Sequence, residues 1–333
     1  MPQQVILTGD INLLGVEDPK VPFTQVRSTL LAADLVISNF ECCLYEPEIE
    51  RSLHEEGFYA NLKSGEALKE AGIGIIGNAN NVNFGGPAIR SSCARLDELG
   101  IPHAGAGVDR KSAYKAVIVE RNGVKYGFLQ RSSVYWSHGG HEAAEDFPGI
   151  AVLEAHTAYK PRVSETRTLT RPGHAPDIVT WCEPSSLKAF CDDIANLRKS
   201  CDILICSNHW GCDHDVLQYM EQAGRAAIDA GADVVMGHGP HFPLGIEIYK
   251  GKPIFYSLGS FSFHTGHRAK KHPDWIGMMP KLTFHDNKIS KARFSFVRHN
   301  EANETYFVSP ADESQELEAI YASSAPYETG FSI

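Results

Sequence analysis

The chain has 333 residues, 43% of them hydrophobic and 22% charged, with a formal net charge of −10. A chain of this length buries a sizeable core without staples, and its acidic balance, with Lys270-Lys271 as the nearest thing to a basic run, excludes a nucleic-acid binder. No apolar stretch approaches the ~18 residues of a membrane span, and no charged region followed by a long apolar core marks a secretory leader, so the expectation is a soluble, cytoplasmic chain with no membrane anchor.

The first apolar run, Val5–Leu7, reads as a buried strand and ends in Gly9-Asp10-Ile11-Asn12. Residues 22–33 carry Val26, Leu30 and Leu31 at helical spacing. Leu35–Ile37 is a second strand, ending in Asn39-Phe40-Glu41. A helix is expected over 64–71, with Ser64 able to cap it. A third strand, Ile73–Ile76, ends in Asn78-Ala79-Asn80-Asn81. Residues 87–99 form an amphipathic helix opened by Pro87 and closed by Gly100. Lys115–Glu120 and Lys125–Gln130 flank Asn122-Gly123, a strong hairpin signal.

The stretch 132–184 differs, being rich in His, Pro, Gly, Thr and Arg with little periodicity. It reads as a long insertion covering a site, because long loops in compact domains are commonly functional. A helix over 185–200 leads to the strand Ile203–Cys206, which ends in Asn208-His209-Trp210. A helix over 216–230 closes at Gly231, and the strand Val234–Met236 runs into Gly237-His238-Gly239-Pro240-His241. Ile246–Tyr249, Ile254–Ser257, Lys281–His285 and Ala292–Val297 read as antiparallel strands. The tail 311–333 is acidic, and helical at most over 312–322. The order, β-α-β-α first and hairpins later, implies an α/β core with mixed sheets in a single domain over 1–310. The eight cysteines include no C-x-x-C pair, so they read as reduced and mostly structural.

Five apolar runs thus end in ligand-capable side chains: Asp10 and Asn12, Asn39 and Glu41, Asn80 and Asn81, His209, and His238 with His241. Carboxylate, amide and imidazole donors together suit zinc, manganese or iron. Two such ions clamp the attacking and leaving oxygens of a hydrolysis and supply a nucleophile at neutral pH. Each cluster has a plain alternative: Asp10 as a loop starter, Asn80-Asn81 as turn residues, His209 as a buried histidine bonded to backbone, His238 and His241 as incidental flanks of a Gly-Pro turn. Five coincident strand-end clusters favour the metal reading. Tyr135, Trp136 and Trp181 either line a pocket or fill a core. Arg131, Arg162, Arg167 and Arg171 either pair an anionic substrate or are solvated. Gly105-Ala106-Gly107 lacks the glycine and helix of a dinucleotide fingerprint, and no G-x-S-x-G elbow is present.

Leu7-Thr8-Gly9-Asp10, Asn39-Phe40-Glu41, Ala79-Asn80-Asn81, His209-Trp210-Gly211, Asp229–Asp233, Gly237–His241 and Pro253–Gly259, in unbroken order over residues 5–263, resemble the CapA (PgsA-like) poly-γ-glutamate capsule protein family. That family is similar to calcineurin-like metallophosphoesterases. The resemblance implies a metallophosphoesterase-like α/β fold, a four-layer α-β-β-α sandwich, with a two-metal site at the strand ends. On that template Asp10, Glu41, Asn81, His209, His238 and His241 fall at metal positions, and Asn12 stands where phosphoesterases often use a histidine. His209, His238 and Asn81 are the catalytic candidates. Arg131, Tyr135, Trp136 and Trp210 are the candidate contacts to a small-molecule or polyglutamate-type anionic substrate. Family members read Asn-Asn-His where this chain has Asn80-Asn81-Val82, and valine cannot protonate a leaving group. His138, His141, His156 and His214 are the alternatives for that role. Ser260 replaces the asparagine of the family's Ser-Leu-Gly-Asn. Two functions are carried forward: a hydrolase of a phosphoester or γ-glutamyl amide, and a non-catalytic accessory protein that keeps the fold.

Overall fold

Side chains alternate across each strand, and in the central strands the alternation puts apolar side chains on both faces. In the computed structural model, which describes residues 2–47, 57–161, 173, 175–266, 268 and 270–329, Val5, Leu7, Leu35, Ile37 and Ile75 share one core with Tyr126, Phe128, Ile203, Ile205, Val234 and Met236. Their neighbours Ile6, Val36 and Ile76 pack outward against Leu30, Leu68 and Leu96. On the other side Leu204, Cys206 and Val235 pack outward against Phe190, Ile194, Met220 and Ala223. Two sheets therefore face each other across one core, and each carries helices on its outer face. This is the four-layer α-β-β-α sandwich.

The first sheet runs Thr305–Val308, Lys288–His299, Gly277–His285, Gln3–Ile11, Leu35–Phe40, Ile75–Gly77, His103–Ala104, with Ser260–Ser262 added beside Gln3–Ile11. The second runs Ile246–Tyr249, Lys252–Phe255, Val234–His238, Ile203–His209, Val124–Ser132, Val117–Arg121. Gln3–Ile11, Leu35–Phe40 and Ile75–Gly77 are mutually parallel, as are Val124–Ser132, Ile203–His209 and Val234–His238. Ligands of open α/β sheets sit beyond the carboxyl ends of such strands, and all the strand-end clusters lie at that edge.

Most expected elements are present. Asn122 and Gly123 both have positive φ, 51° and 78°, as a tight hairpin turn requires. The helix expected over 22–33 is only Arg27–Leu31, because Pro22 has no N–H and its carbonyl accepts the Thr305 N–H. Strands not expected from periodicity include Ser260–Ser262, Thr305–Val308, and a hairpin of Ala155–Lys160 with Asp177–Cys182 inside the 132–184 stretch. That hairpin packs on the Gln218–Ala230 helix, where Gln218 and Gln222 side chains accept the Thr180 and Cys182 N–H groups. The stretch after 310 forms the helix Ser314–Ser324, which buries Ile320 in the inter-sheet core. All eight cysteines are free. Among the described residues no helix is long and apolar enough to cross a membrane.

Candidate metal centre

Two glycines open the space in which the site is built. A Cβ on Gly9 would stand 1.9 Å from the Gly259 carbonyl oxygen. Only glycine lets that backbone approach, and the approach lets Asp10 N–H donate to the Gly259 carbonyl at 2.9 Å. A Cβ on Gly77 would meet the Gln130 amide at 2.5 Å, so Gly77 leaves room for Gln130 to reach across between the sheets. Gln130 is fully buried, and its orientation follows from its partners. The Ala79 N–H donates to Gln130 Oε1 at 2.7 Å, Gln130 Nε2 donates to Asn39 Oδ1 at 2.9 Å, and Asn39 Nδ2 donates to Asp10 Oδ1 at 2.8 Å. This directed chain ties a carboxylate of one sheet to the other sheet.

Asp10 is the hub. His238 Nδ1 lies 3.6 Å from Asp10 Oδ1, and His241 Nδ1 lies 3.2 Å from Asp10 Oδ2. The Nδ1 atoms of His209 and His238 face each other at 3.1 Å. His209 Nε2 donates to Asn81 Oδ1 at 2.8 Å and lies 3.9 Å from Glu41 Oε1, while His241 Nε2 lies 4.0 Å from the same oxygen. His238 Nε2 sits 2.8 Å from Ser207 Oγ and 3.1 Å from Gln130 Nε2. Two sets of donor atoms converge tightly enough for a cation: Asp10, His209 and His238, and Asp10, Glu41 and His241. The sets share Asp10.

The electrostatics fit a cation. Burial drives the imidazoles of His209 and His238 down, His238 to about 4, so both rings are neutral near pH 7 and keep a free lone pair. Burial pushes Asp10 up, but His241, His238 and His209 outweigh it and hold the carboxyl below the usual range. Burial and the neighbouring Asp10 hold Glu41 well above it. Glu41 Oε2 is buried and accepts no hydrogen bond, and buried Asp10 Oδ2 has the His241 ring at 3.2 Å beside it without a formed hydrogen bond. Under-satisfied carboxyl oxygens are expensive, and a divalent ion is the partner that this donor set suits.

His241 has φ 66°, outside the region non-glycine residues favour. Its ring is nonetheless held: Trp275 stacks on it at 3.8 Å and 11°, Phe263 meets it edge-on at 4.9 Å, and Ser260 Oγ lies 3.2 Å from Nδ1. Strain retained against such packing is common at functional positions.

The structure brings Asp10, Glu41, Asn81, His209, His238 and His241 together, and turns other candidates away. Asn12 uses both polar atoms in the adjoining loops, Nδ2 donating to the Thr265 carbonyl and Oδ1 accepting the Leu14 N–H. Trp210 is fully buried in the outer helical layer, with Nε1 donating to the Tyr256 carbonyl, and has no surface for a substrate. Arg131, next to Gln130 on the strand, points to the opposite face, where it pairs with Asp193 beneath the Tyr114 ring. There it lines a separate cavity of about 230 Å³. Tyr135 packs on the Ala79–Ile150 cluster. Trp136 stays beside the centre, donating Nε1–H to the Asn81 carbonyl at 2.9 Å. Arg162, Arg167 and Arg171 lie outside the described residues.

The candidate proton carriers also separate. His141 Nδ1 accepts the Trp136 N–H and its Nε2–H is donated to the Asn83 carbonyl, so both nitrogens are committed. His156 pairs with Glu183 on the hairpin. His138 and His214 are exposed, beside Trp136 and Phe242 respectively. Val82 is buried in the apolar layer. Gln130, Ser207, Phe263 and Trp275 are the supporting residues that sequence reasoning missed. Gln130 alone had a signal, since it too ends an apolar strand.

The family profile described as "Bacterial capsule synthesis protein PGA_cap" matches residues 3–265. The chain belongs to this family. The matched span contains every residue of both cation sets. Among curated PGA_cap-like relatives, the PGA biosynthesis protein CapA of Bacillus subtilis (strain 168) is 28% identical over 250 residues, covering 73% of this chain and 57% of the relative. The capsule biosynthesis protein CapA of Bacillus anthracis is 26% identical over 251 residues, covering 73% and 54%. The chain thus spans about half the length of the curated relatives it matches. A hypothetical protein from Thermus thermophilus has a similar fold, with a TM-score of 0.52 at 14% identity, over 90% of this chain and 100% of that one.

Proposed function

We propose that this PGA_cap member is a metal-dependent hydrolase that holds two divalent cations through a shared Asp10 and cleaves a phosphoester or a γ-glutamyl amide. The observation that carries this reading is the pair of three-residue donor sets meeting at Asp10, supported by the under-satisfied oxygens of Asp10 and Glu41. Asp10, His209 and His238 would hold one cation and Asp10, Glu41 and His241 the other. Manganese, iron and zinc suit these donors. When bound, such a pair polarises the reacting group and activates water at neutral pH.

The chain's own residues do the rest. Asn39 and Gln130 fix the rotamer of Asp10. Asn81 accepts the Nε2–H of His209, so that ring keeps its Nδ1 lone pair towards Asp10 and His238. Asn81 also lines the cavity beside the centre, where its Nδ2 can donate to an oxygen of the reacting group. The γ-glutamyl option is supported by the names of the relatives, which concern PGA and capsule biosynthesis; the donor set itself suits either bond. The eight free cysteines support a reducing, cytoplasmic setting, which cell fractionation tests.

One observation favours a second reading, a non-catalytic accessory protein: Val82 is packed in the apolar layer where the resembling family carries a proton-carrying histidine. Assay of manganese-, iron- and zinc-loaded protein on phosphoesters and γ-glutamyl amides separates the two. Turnover abolished by His209→Ala supports the hydrolase. Inactivity on every ester and amide, with activity appearing in Val82→His, supports the accessory protein.

A further inference from the structure

Beside the candidate centre lies a cavity of about 290 Å³, bordered on the reacting side by Glu41, Asn81 and His241. That size is at the lower end of small-ligand sites, roughly 300 to 1,000 Å³. Its remaining walls are chemically lopsided. Phe58, Val82, Phe263 and Trp275 present apolar surface, and only Lys270 and His272 add positive or titratable groups. The apolar walls are fixed in place: Phe58 meets Phe263 edge-on at 5.7 Å, Phe263 meets Trp275 edge-on at 4.9 Å, and Trp275 is stacked by His272 at 3.7 Å. Lys270 is exposed and forms no ion pair among the described residues.

Such walls reward the removal of apolar surface from water. They penalise charge: each carboxylate carried inside sheds hydration and needs its own cationic partner, and the cavity offers one lysine. A chain of γ-linked glutamates brings a free carboxylate with every residue. A compact hydrophobic body with one anionic substituent matches both the walls and the Lys270 ammonium.

We propose that this cavity is the subsite for the non-reacting part of the substrate, and that this part is a ring or branched aliphatic group bearing one anionic group against Lys270, not a run of carboxylates. This rests on the two-cation reading of the neighbouring centre.

Calorimetric titration of the manganese-loaded full chain with three phosphonates tests it, because a phosphonate mimics both a phosphoester and the tetrahedral geometry of amide hydrolysis. Phenylphosphonate is expected to bind about tenfold tighter than methylphosphonate. 4-Carboxyphenylphosphonate is expected to gain about a further threefold, a gain lost in Lys270→Ala. A γ-glutamyl pentapeptide is expected not to displace phenylphosphonate at equal concentration. Equal binding of the methyl and phenyl compounds, retention of the carboxylate gain in Lys270→Ala, or displacement by the pentapeptide would overturn the subsite while leaving the metal centre standing. Failure of all three phosphonates to bind protein shown to carry manganese would overturn the subsite together with the hydrolase reading.

Discussion

The indole of Trp275 lies parallel to the imidazole of His241, with 3.8 Å between ring centres and 11° between planes. His241 combines a left-handed backbone with a side chain aimed at two buried carboxylates, so its ring orientation depends on what packs against it. An aromatic pair contributes about 0.5–1.5 kcal/mol beyond burial. Trp275→Leu is therefore expected to weaken the affinity for one of the two proposed cations about three- to tenfold, with Trp275→Phe restoring most of it. Cation affinities of the three proteins, measured by competition with a chelating dye, decide the point. Unchanged affinity in Trp275→Leu would show that His241 orients without the stack.

Asp10 belongs to both donor sets and Glu41 to one. Asp10→Asn is expected to lose both proposed cations, and Glu41→Gln to retain one. Stoichiometry after dialysis against a weak chelator reads this directly. Two cations retained in Asp10→Asn would dissolve the shared-ligand arrangement.

Gln130 spans the inter-sheet space to reach Asn39 and hence Asp10. Gln130→Leu leaves the Ala79 N–H and the Asn39 Oδ1 unpaired in a buried setting. Each orphaned group costs about 1–3 kcal/mol, so the variant is expected to lose about 2–5 kcal/mol in denaturant unfolding. It should also hold cations more weakly, because Asp10 loses its tether. A loss below about 1 kcal/mol would mean that water takes over the amide's contacts.

His141 and His299 are almost fully buried, and burial lowers each to about 4 from an ordinary 6.5. In the unfolded chain they protonate near pH 6.5; in the folded chain they do so only near 4. As pH falls through this window the unfolded state binds more protons, so stability falls from about pH 6.5 down to about pH 4 and is flat in these groups above it. The combined loss is on the order of a few kcal/mol. Thermal melts from pH 7 to 4 should show this slope, and His141→Gln should make it shallower. A melting temperature independent of pH across that range would contradict the burial of neutral imidazoles.

The candidate centre is legible in the chain where a candidate ligand follows an apolar strand directly. His209 ends Ile203–His209, His238 ends Val234–His238, and Glu41 follows Leu35–Phe40, so one feature, the strand's carboxyl end, locates all three. Asn12 shares that position, just past the irregular pairing register at Asp10, and its side chain bonds to the adjoining loops. Trp210 and Arg131 point away from the candidate centre for another reason. Both lie next to inward-facing residues, and on a strand or strand end the neighbour points the other way. Trp275 and Ser207 carry no local signal, since their roles arise from contacts between segments distant in sequence. The hairpin in 132–184 was hidden because its strands are largely exposed and lack apolar alternation.

Everything proposed for the centre rests on two divalent cations sitting at Asp10. Metal content per chain by plasma mass spectrometry, on protein purified without chelators or a histidine tag, tests this most directly. Close to two manganese, iron or zinc ions per chain are expected, and none in Asp10→Asn. No bound metal in the wild-type chain, even after reloading, would contradict the two-cation centre and leave Asp10, Glu41, His209, His238 and His241 as a buried polar network without a cation.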